Sequence, residues 1–125
     1  MERNTRQRAS ILETFQRSSG PLNPQEVLSM THRQMPGLGI ATVYRNIKSF
    51  VESGMLQVVP VPGEADRYEL AGKQHHHHFI CVKCDKAYEM EGCPGSLANL
   101  APAGFKVERH EIYLYGRCKD CLKRK

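Results

Sequence analysis

The segment His75-His-His-His-Phe-Ile-Cys-Val-Lys-Cys84 decides how the second half of this chain folds. It ends in a Cys-x-x-Cys clip, and a second clip follows at Cys118 and Cys121. Two such clips predict a tetrahedral zinc site, because each clip can span one edge of the tetrahedron. The expected ligands of a structural Zn²⁺ ion are Cys81, Cys84, Cys118 and Cys121.

Other uses of the two clips stay open on the sequence alone: two disulfides, a thioredoxin-like redox pair, or an iron–sulfur cluster. Neither clip opens a βαβ pattern, which argues against thioredoxin chemistry. The sequence contains no secretory signal and no apolar run of membrane length, which predicts a cytoplasmic protein without a membrane partner. Disulfides are rare in that compartment, so structural zinc is the favoured interpretation.

Length and charge limit the remaining choices. At 125 residues the chain is one domain or two small ones, each of which needs a staple or a partner subunit. The formal charge is +5, and the first fifty residues hold seven Arg or Lys against three Glu. A basic start is compatible with nucleic acid, although ordinary solubility accounts for it equally well.

The first half of the chain has helical periodicity. A first helix is predicted over 5–17 and ends before Gly20-Pro21. A second begins after the N-cap Asn23, with Pro24 at the first helical position and Glu26 completing a capping box. Its predicted apolar face consists of Val27, Leu28 and Met30.

A third helix is predicted from Ala41 or Thr42 to Ser53, ended by Gly54. The strand-like runs 55–60 and 66–70 follow it as a hairpin. Three helices and a two-stranded ribbon form a winged helix, whose second and third helices are a helix-turn-helix. The predicted fold class is α+β, with a winged helix-turn-helix domain over 1–70, a hinge over 71–74 and a small α/β domain over 75–125.

The second domain is expected to contain strands over 75–80 and 86–91 around the first clip. A short helix is predicted over 94–100, opened by Pro94. The alternating segment 105–115 predicts a long strand that runs into the second clip.

The outward face of the third helix carries side chains that can read DNA. Arg pairs with guanine, Asn pairs with adenine, and Tyr or Thr can contact a thymine methyl group or a phosphate. The alternative is an ordinary solvated helix face. Arg8 on the first helix is expected to be packed rather than free. The candidate DNA-binding residues are Arg3, Thr42, Tyr44, Arg45, Asn46 and Lys48.

These features together resemble the ferric uptake regulator (Fur) family. The motifs that carry the resemblance run in family order and cover almost the whole chain. The resemblance implies a homodimeric, metal-dependent transcriptional repressor that binds an inverted repeat in double-stranded promoter DNA through its N-terminal domain and dimerises through its C-terminal domain. The matching segments are Thr5-Arg-Gln-Arg8, Gly39-Ile-Ala-Thr-Val-Tyr-Arg45, Gly54-Met-Leu56, Arg67-Tyr-Glu-Leu70, 75–84, His110 and Tyr115-Gly-Arg-Cys-Lys-Asp-Cys121.

The resemblance also implies a regulatory divalent metal, whose ligands match Glu69, His76, His78 and Glu89. Many members have a histidine just before the second helix, where this chain has Pro21. Four nitrogen and oxygen donors remain, and such a set suits zinc at least as well as Fe²⁺ or Mn²⁺. Zinc sensing is therefore favoured, and iron sensing and iron-dependent peroxide sensing are the alternatives.

A further family site uses the alternate histidines, which here are His75 and His77, together with His110. The carboxylate that usually completes it has no clear counterpart in this sequence. Cys93 is the candidate that could replace it, and a small buried thiol is the alternative role for this residue. A thiol redox switch at Cys93 or at the clips also remains open.

An enzyme is not expected. A hydrolytic zinc site needs an open coordination position and a nearby base. The chain has no HExxH-type motif, and hydrolysis would leave the helix-turn-helix without a role.

Overall fold

The computed structural model of this protein describes residues 2–93, 95 and 97–123, without the side chains of residues 2 and 3. The chain divides into two compact units, Met1–Lys73 and Gln74–Lys125. The proposed DNA contact of Arg3 and the helix start at Pro94 lie outside the described residues. In the part of the chain that is described, no helix is long and apolar enough to cross a membrane.

The N-terminal unit has the element order predicted for a winged helix. Its two strands pair antiparallel, with Leu56 opposite Leu70. The first helix begins before the predicted residue 5, and the other predicted boundaries agree with the structure to within two residues. The elements are α1 (Glu2–Arg17), α2 (Pro24–Thr31), α3 (Ile40–Glu52), β1 (Leu56–Val59) and β2 (Arg67–Leu70).

The three helices enclose one apolar core. Its buried members recur at helical spacing and include Ile11, Phe15, Val27, Val43, Ile47 and Phe50. Met30 was predicted to join them, which is wrong, since this side chain is 51% exposed. The buried stripe of α2 continues from Val27 to Thr31, one turn later, and this rotates Met30 towards solvent.

The start of α2 follows the predicted capping box. The Asn23 side chain accepts the Glu26 amide hydrogen at 2.8 Å, and Glu26 Oε1 accepts the Asn23 amide hydrogen at 3.0 Å. Two backbone donors that the first turn would otherwise leave unpaired are satisfied in this way.

A buried arginine connects the wing to this helix start. Arg67 on β2 is 1% exposed, and its Nη1 donates to Glu26 Oε1 and, at 3.4 Å, to the carbonyl oxygen of Pro21. The Glu26 carboxylate therefore caps α2 and holds the wing strand at the same time. No local sequence pattern announced this pair, whose members lie 41 positions apart.

We expect Arg67→Met to destabilise the protein by about 3 kcal/mol, because it leaves the Glu26 carboxylate partly buried without its cation. The loss should lie at the lower end of the range for such pairs, since the Glu26 side chain is 24% exposed and water can reach it. Urea unfolding measures the change. Arg17→Met is the matched control: Arg17 pairs with Glu13 on the surface of α1, and losing such a pair costs below about 0.5 kcal/mol. Equal losses in the two variants would contradict the expectation.

The C-terminal unit contains a three-stranded sheet in the order β4–β3–β5. β3 lies in the centre, antiparallel to β4 and parallel to β5. The parallel pair requires a crossover, which the segment between β4 and β5 supplies. The elements are β3 (His77–Cys81), β4 (Ala87–Met90), a short 3₁₀ helix (Ala98–Leu100), β5 (Tyr113–Gly116) and α4 (Lys119–Lys123).

The predicted long strand over 105–115 is wrong, since β5 contains only residues 113–116. Alternation records which side chains share a face, whereas a strand also requires a partner for its backbone groups. Pairing with β3 begins where the His78 amide donates to the Ile112 carbonyl at 3.2 Å. Before that point Phe105 is 71% exposed and Val107 is 38% exposed.

Cysteine side chains make up most of the buried apolar interior of this unit. Among its described residues, the buried apolar side chains are Ile80, Ala87 and three of the clip cysteines, Cys81, Cys118 and Cys121. α4, which the sequence did not predict, begins directly after the first cysteine of the second clip. A unit of this size with so small a carbon core needs another source of stability.

Candidate metal centres and nucleic-acid interface

The four clip cysteines converge at the end of β3 and the start of α4. The Sγ atoms of Cys81 and Cys121 lie 3.7 Å apart, and those of Cys84 and Cys118 lie 3.9 Å apart. A tetrahedron of Zn–S bonds of about 2.3 Å has edges of about 3.8 Å. A disulfide would require about 2.05 Å, so the disulfide interpretation is contradicted. The arrangement fits a four-thiolate zinc site.

The surroundings prepare two of these thiols to lose their protons. The amides of Cys84 and Cys118, each 3.4 Å away, point at Cys81 Sγ and lower the pKa of Cys81 to about 6. The amide of Cys121 and the Tyr88 hydroxyl lower the pKa of Cys118. Burial raises the pKa of Cys121 to about 12, so a bound cation must hold that sulfur as a thiolate. Tyr88, on β4, is a supporting residue that no sequence motif indicated.

A second group gathers on one face of the sheet. The His76 and His78 rings lie with centroids 4.8 Å apart, and His78 stands opposite Glu89 in the β3–β4 register. His76 Nε2 lies 3.5 Å from Glu89 Oε1. Two imidazoles and a carboxylate are thus brought together within the C-terminal unit.

The hydrogen bond of His76 selects its tautomer. His76 Nδ1 lies 2.7 Å from the carbonyl oxygen of Gln74, which can only accept, so Nδ1 carries the proton. In the neutral ring the lone pair is then on Nε2, the atom that faces Glu89. Histidine ligands bind metal ions through such a lone pair, and a carbonyl behind the other ring nitrogen is a common support for them.

Two other predicted features of the regulatory site belong to the N-terminal unit. Glu69 lies on β2, is buried, and accepts a hydrogen bond from Gln57 Nε2 at 2.7 Å. Pro21, which stands where many family members have a histidine, has no side-chain donor for a metal. Its carbonyl oxygen accepts the bond from Arg67.

A third group lies on the other face of the histidine segment. His75 Nε2 is 3.0 Å from His110 Nε2, Cys93 Sγ is 3.1 Å from His110 Nε2, and His77 Nε2 is 3.3 Å from Cys93 Sγ. The alternation predicted for the four histidines therefore sorts them into two separate sets. Cys93 is exposed, so its alternative role as a buried thiol is wrong.

His77 differs from its neighbours in burial and in hydrogen bonding. It is 2% exposed, and burial lowers its pKa, with the nearby His75 and His110 acting in the same direction. Its Nδ1 accepts the amide hydrogen of Ile112 at 3.1 Å. The ring is therefore neutral, and its own proton lies on Nε2, pointing at Cys93.

The exposed face of α3 presents the predicted DNA-reading side chains. Tyr44 is 52% exposed, and Arg45 and Lys48 are exposed beside it. Arg45 Nη2 donates to Thr42 Oγ1 at 3.0 Å, and Asn46 Nδ2 donates to the Thr42 carbonyl at 2.9 Å. These bonds hold the two residues near the helix N-terminus, the end that contacts bases in helix-turn-helix proteins.

A polar cleft of about 380 Å³ lies between α1 and α3. Arg8, as predicted, is packed: its guanidinium lies 4.1 Å from the centroid of the Phe50 ring, and Nη1 donates to Ser49 Oγ at 3.1 Å. The cleft extends the polar surface beside the exposed face of α3. It is lined by Asn4, Thr5, Gln7, Arg8, Thr42, Arg45, Asn46 and Ser49.

A winged helix-turn-helix joined to a unit with thiolate and imidazole metal centres defines a metal-binding transcription regulator. The profile of the Ferric uptake regulator family matches residues 2–115. The chain belongs to that family, whose members are dimeric, DNA-binding, metal-responsive regulators and not enzymes.

Individual relatives resemble the chain over most of its length. The ferric uptake regulation protein of Campylobacter jejuni is 36% identical, over 97% of this chain and 80% of that protein. The peroxide operon regulator of Bacillus subtilis is 31% identical, over 98% and 86%. A zinc-bound manganese uptake regulator superposes with a TM-score of 0.77 at 25% identity, over 90% and 87% of the two chains. Because these names refer to different signals, family membership leaves the regulatory metal open.

Proposed function

We propose that this chain is a zinc-responsive transcriptional repressor whose metal-bound homodimer binds an inverted repeat in promoter DNA. The observation that carries the proposal is the group formed by His76, His78 and Glu89. The Nε2 atom of His76, which holds the ring's lone pair, lies 3.5 Å from the Glu89 carboxylate. Loss of the metal releases the DNA.

The donor set favours zinc as the signal. We add Glu69 as a ligand on the family resemblance. The set then has two imidazoles and two carboxylates, which are the four ligands that zinc prefers. Pro21 has no side-chain nitrogen that could serve as a fifth ligand. Two histidines and one carboxylate also occur in iron(II) sites, so iron sensing and iron-dependent peroxide sensing are the competing functions.

The homodimer is supported by apolar side chains that the C-terminal unit exposes. Phe105, Leu114, Tyr115 and Leu122 are each at least half exposed. Burying them against a second copy would remove this surface from water. A dimer with two-fold symmetry places two recognition helices on two half-sites, and this is why an inverted repeat is the expected operator.

The proposed DNA contacts follow from the α3 surface. Arg45 and Asn46 are suited to base edges, and Thr42 and Tyr44 to a thymine methyl group or a phosphate. We assign Lys48 and Arg3 to the phosphate backbone, where contacts make the DNA affinity fall as the salt concentration rises.

The test is DNA binding under metal buffering. Duplexes are selected from a random pool in parallel with Zn²⁺, Fe²⁺ and Mn²⁺, each buffered at a low free concentration under anaerobic conditions. We expect zinc to raise DNA affinity by about 10–100-fold, which is the size of a typical coupling between two binding sites. The other two ions should have no effect at the free concentrations where zinc acts. Sedimentation of the DNA-bound protein reports whether two chains bind each duplex.

Arg45→Ala is the control for this test, because it should weaken binding to DNA while leaving the ratio between metal-loaded and metal-free affinity unchanged. Equal or stronger activation by iron at its buffered level would transfer the function to iron sensing. Loss of iron-dependent binding on brief peroxide treatment would identify peroxide sensing. DNA binding that no metal changes would overturn the proposal.

A further inference from the structure

A groove of about 540 Å³ lies between α3 and the two strands of the wing, within the N-terminal unit. Cavities of about 300–1000 Å³ are the usual size of small-molecule sites. The lining is mostly apolar, with Ile47 and Val51 from α3 and Val58 from β1. Val58 is 42% exposed, so a molecule from solvent can reach the groove.

The wing side of the groove is held in place by β2. Val58 stands opposite Tyr68 in the β1–β2 register, so the two side chains share one face of the ribbon. Tyr68 exchanges two backbone hydrogen bonds with Leu22, at 2.8 and 2.9 Å, on the other edge of the strand. The groove is therefore built into the fold of this unit.

The charged side chains of the groove favour a ligand with a single negative charge. Two exposed cations, Arg45 and Lys48, line it together with one carboxylate, that of Glu52. Glu52 lies four positions after Lys48, on the same face of α3, so it would repel a second negative group.

Two phenol rings, those of Tyr44 and Tyr68, complete the lining. Burial raises the pKa of Tyr68, and the nearby Asp66 and Tyr44 act in the same direction. The Tyr68 hydroxyl therefore keeps its proton at neutral pH and can donate it to an oxygen of an anion. Aromatic faces also pack well against another aromatic ring.

DNA does not account for the apolar part of this lining. A phosphate backbone is bound by cations and hydrogen-bond donors, which the side chains of Val51 and Val58 do not supply. Base edges meet the N-terminal residues of a recognition helix, whereas Val51 lies in the last turn of α3. An exposed apolar hollow of this kind marks a site for another molecule.

We propose that the groove binds a small aromatic molecule with one negative charge, and that this molecule competes with DNA. Its ring packs against Val58 and the two tyrosines, and its anionic group meets Arg45 and Lys48. Tyr44, Arg45 and Lys48 are also the proposed DNA contacts, so both ligands cannot occupy them at once. Binding in the groove is independent of the metal, whereas the competition rests on the DNA contacts of the proposed function.

The probe is 1-naphthoate, an aromatic monoanion. The full chain with its structural zinc is titrated while NMR follows the methyl signals of Ile47, Val51 and Val58. We expect these signals to shift and to saturate at one naphthoate per chain, while those of Val107, an exposed valine of the other unit, stay in place. 1-Naphthalenemethanol, which has the same rings without the charge, should bind about three- to tenfold more weakly.

Matched variants decide the assignment. Val58→Glu places a second carboxylate in the groove and should lower naphthoate affinity at least about tenfold. Val107→Glu makes the same change outside the groove and should leave the affinity unchanged. Equal binding of the uncharged alcohol, or unchanged affinity in Val58→Glu, would overturn the site. Methyl shifts that follow protein concentration and not the probe would show instead that a second copy of the chain covers the groove.

Competition is measured with a labelled random-sequence duplex at low salt, with and without buffered zinc. At a naphthoate concentration ten times its dissociation constant, DNA affinity should fall about tenfold in both conditions, and about twofold or less in Val58→Glu. A chain whose DNA binding ignores zinc but still yields to naphthoate would overturn the metal proposal alone. DNA affinity that stays unchanged while naphthoate fills the groove would overturn the competition.

Discussion

Replacing Cys81 by serine is expected to remove the structural zinc and to unfold the C-terminal unit. Cys81 is fully buried, and its sulfur accepts hydrogen bonds from the backbone amides of Cys84 and Cys118, one from each clip. A serine hydroxyl is a much poorer zinc ligand than a thiolate. Structural zinc contributes about 10–16 kcal/mol of apparent binding free energy in small zinc-dependent folds, which is as large as the whole stability of a typical domain.

The consequence should be large because little else holds this unit together. Apart from the clip cysteines, its buried apolar side chains among the described residues are Ile80 and Ala87. Zinc content should fall by one ion per chain, and hydrogen exchange of the β3 amides should lose its protection. The N-terminal unit has its own apolar core around Val43 and Phe50, so exchange in α3 should stay slow.

Cys93→Ser is the matched control for this experiment. It makes the same chemical change at an exposed cysteine outside the four-cysteine site, so β3 should remain protected and the structural zinc should remain bound. A Cys81→Ser chain that keeps its zinc against a chelator and keeps β3 protected would show that the clips do not hold the fold.

The parts of this fold that the sequence predicts are those fixed by local interactions. The α2 capping box joins residues three apart, and the end of α3 needs only Gly54, which has a φ of +83°. The two clips are also local signals, since each places two ligands within one turn of chain. Such features are readable because a short window contains both partners.

The features that the sequence missed depend on partners far away in the chain. Arg67 reads as an ordinary polar strand residue until Glu26 is placed beside it by the fold. Tyr88 supports Cys118 across a sheet whose register no motif announces. The segment before β5 alternates like a strand, but among the described residues no strand pairs with Phe105 or Val107.

The histidine segment is only partly predictable from the sequence. Period-two alternation correctly separates His75 and His77 from His76 and His78, because it depends only on extended backbone. What alternation cannot predict is the role of each ring, because the role depends on the tautomer. The carbonyl behind His76 places the proton on Nδ1 and the lone pair on Nε2, whereas the Ile112 amide behind His77 leaves Nε2 protonated.

Replacing both His76 and His78 by alanine is expected to abolish metal-dependent DNA binding. The change removes the two imidazoles that face Glu89 and leaves a carboxylate that binds zinc weakly by itself. The ratio between zinc-loaded and zinc-free DNA affinity should fall from about 10–100 to about one. Without the two imidazoles, zinc no longer binds the DNA-binding state of the protein more tightly than the other state. Fluorescence anisotropy of a labelled duplex at buffered free zinc measures both affinities.

This prediction concerns the ratio between zinc-loaded and zinc-free DNA affinity, not either affinity alone. His32→Ala is the matched control, since His32 is exposed at the end of α2 and belongs to none of the three metal-ligating groups found among the described residues. If His32 contacts DNA, its loss weakens both affinities and leaves their ratio unchanged. The four-cysteine zinc should remain in every variant, which separates loss of sensing from loss of fold. A double variant that still responds to zinc as the unchanged chain does would exclude this face of the sheet as the sensor. The group of His75, His77, Cys93 and His110, which that chain keeps intact, would then be the next candidate.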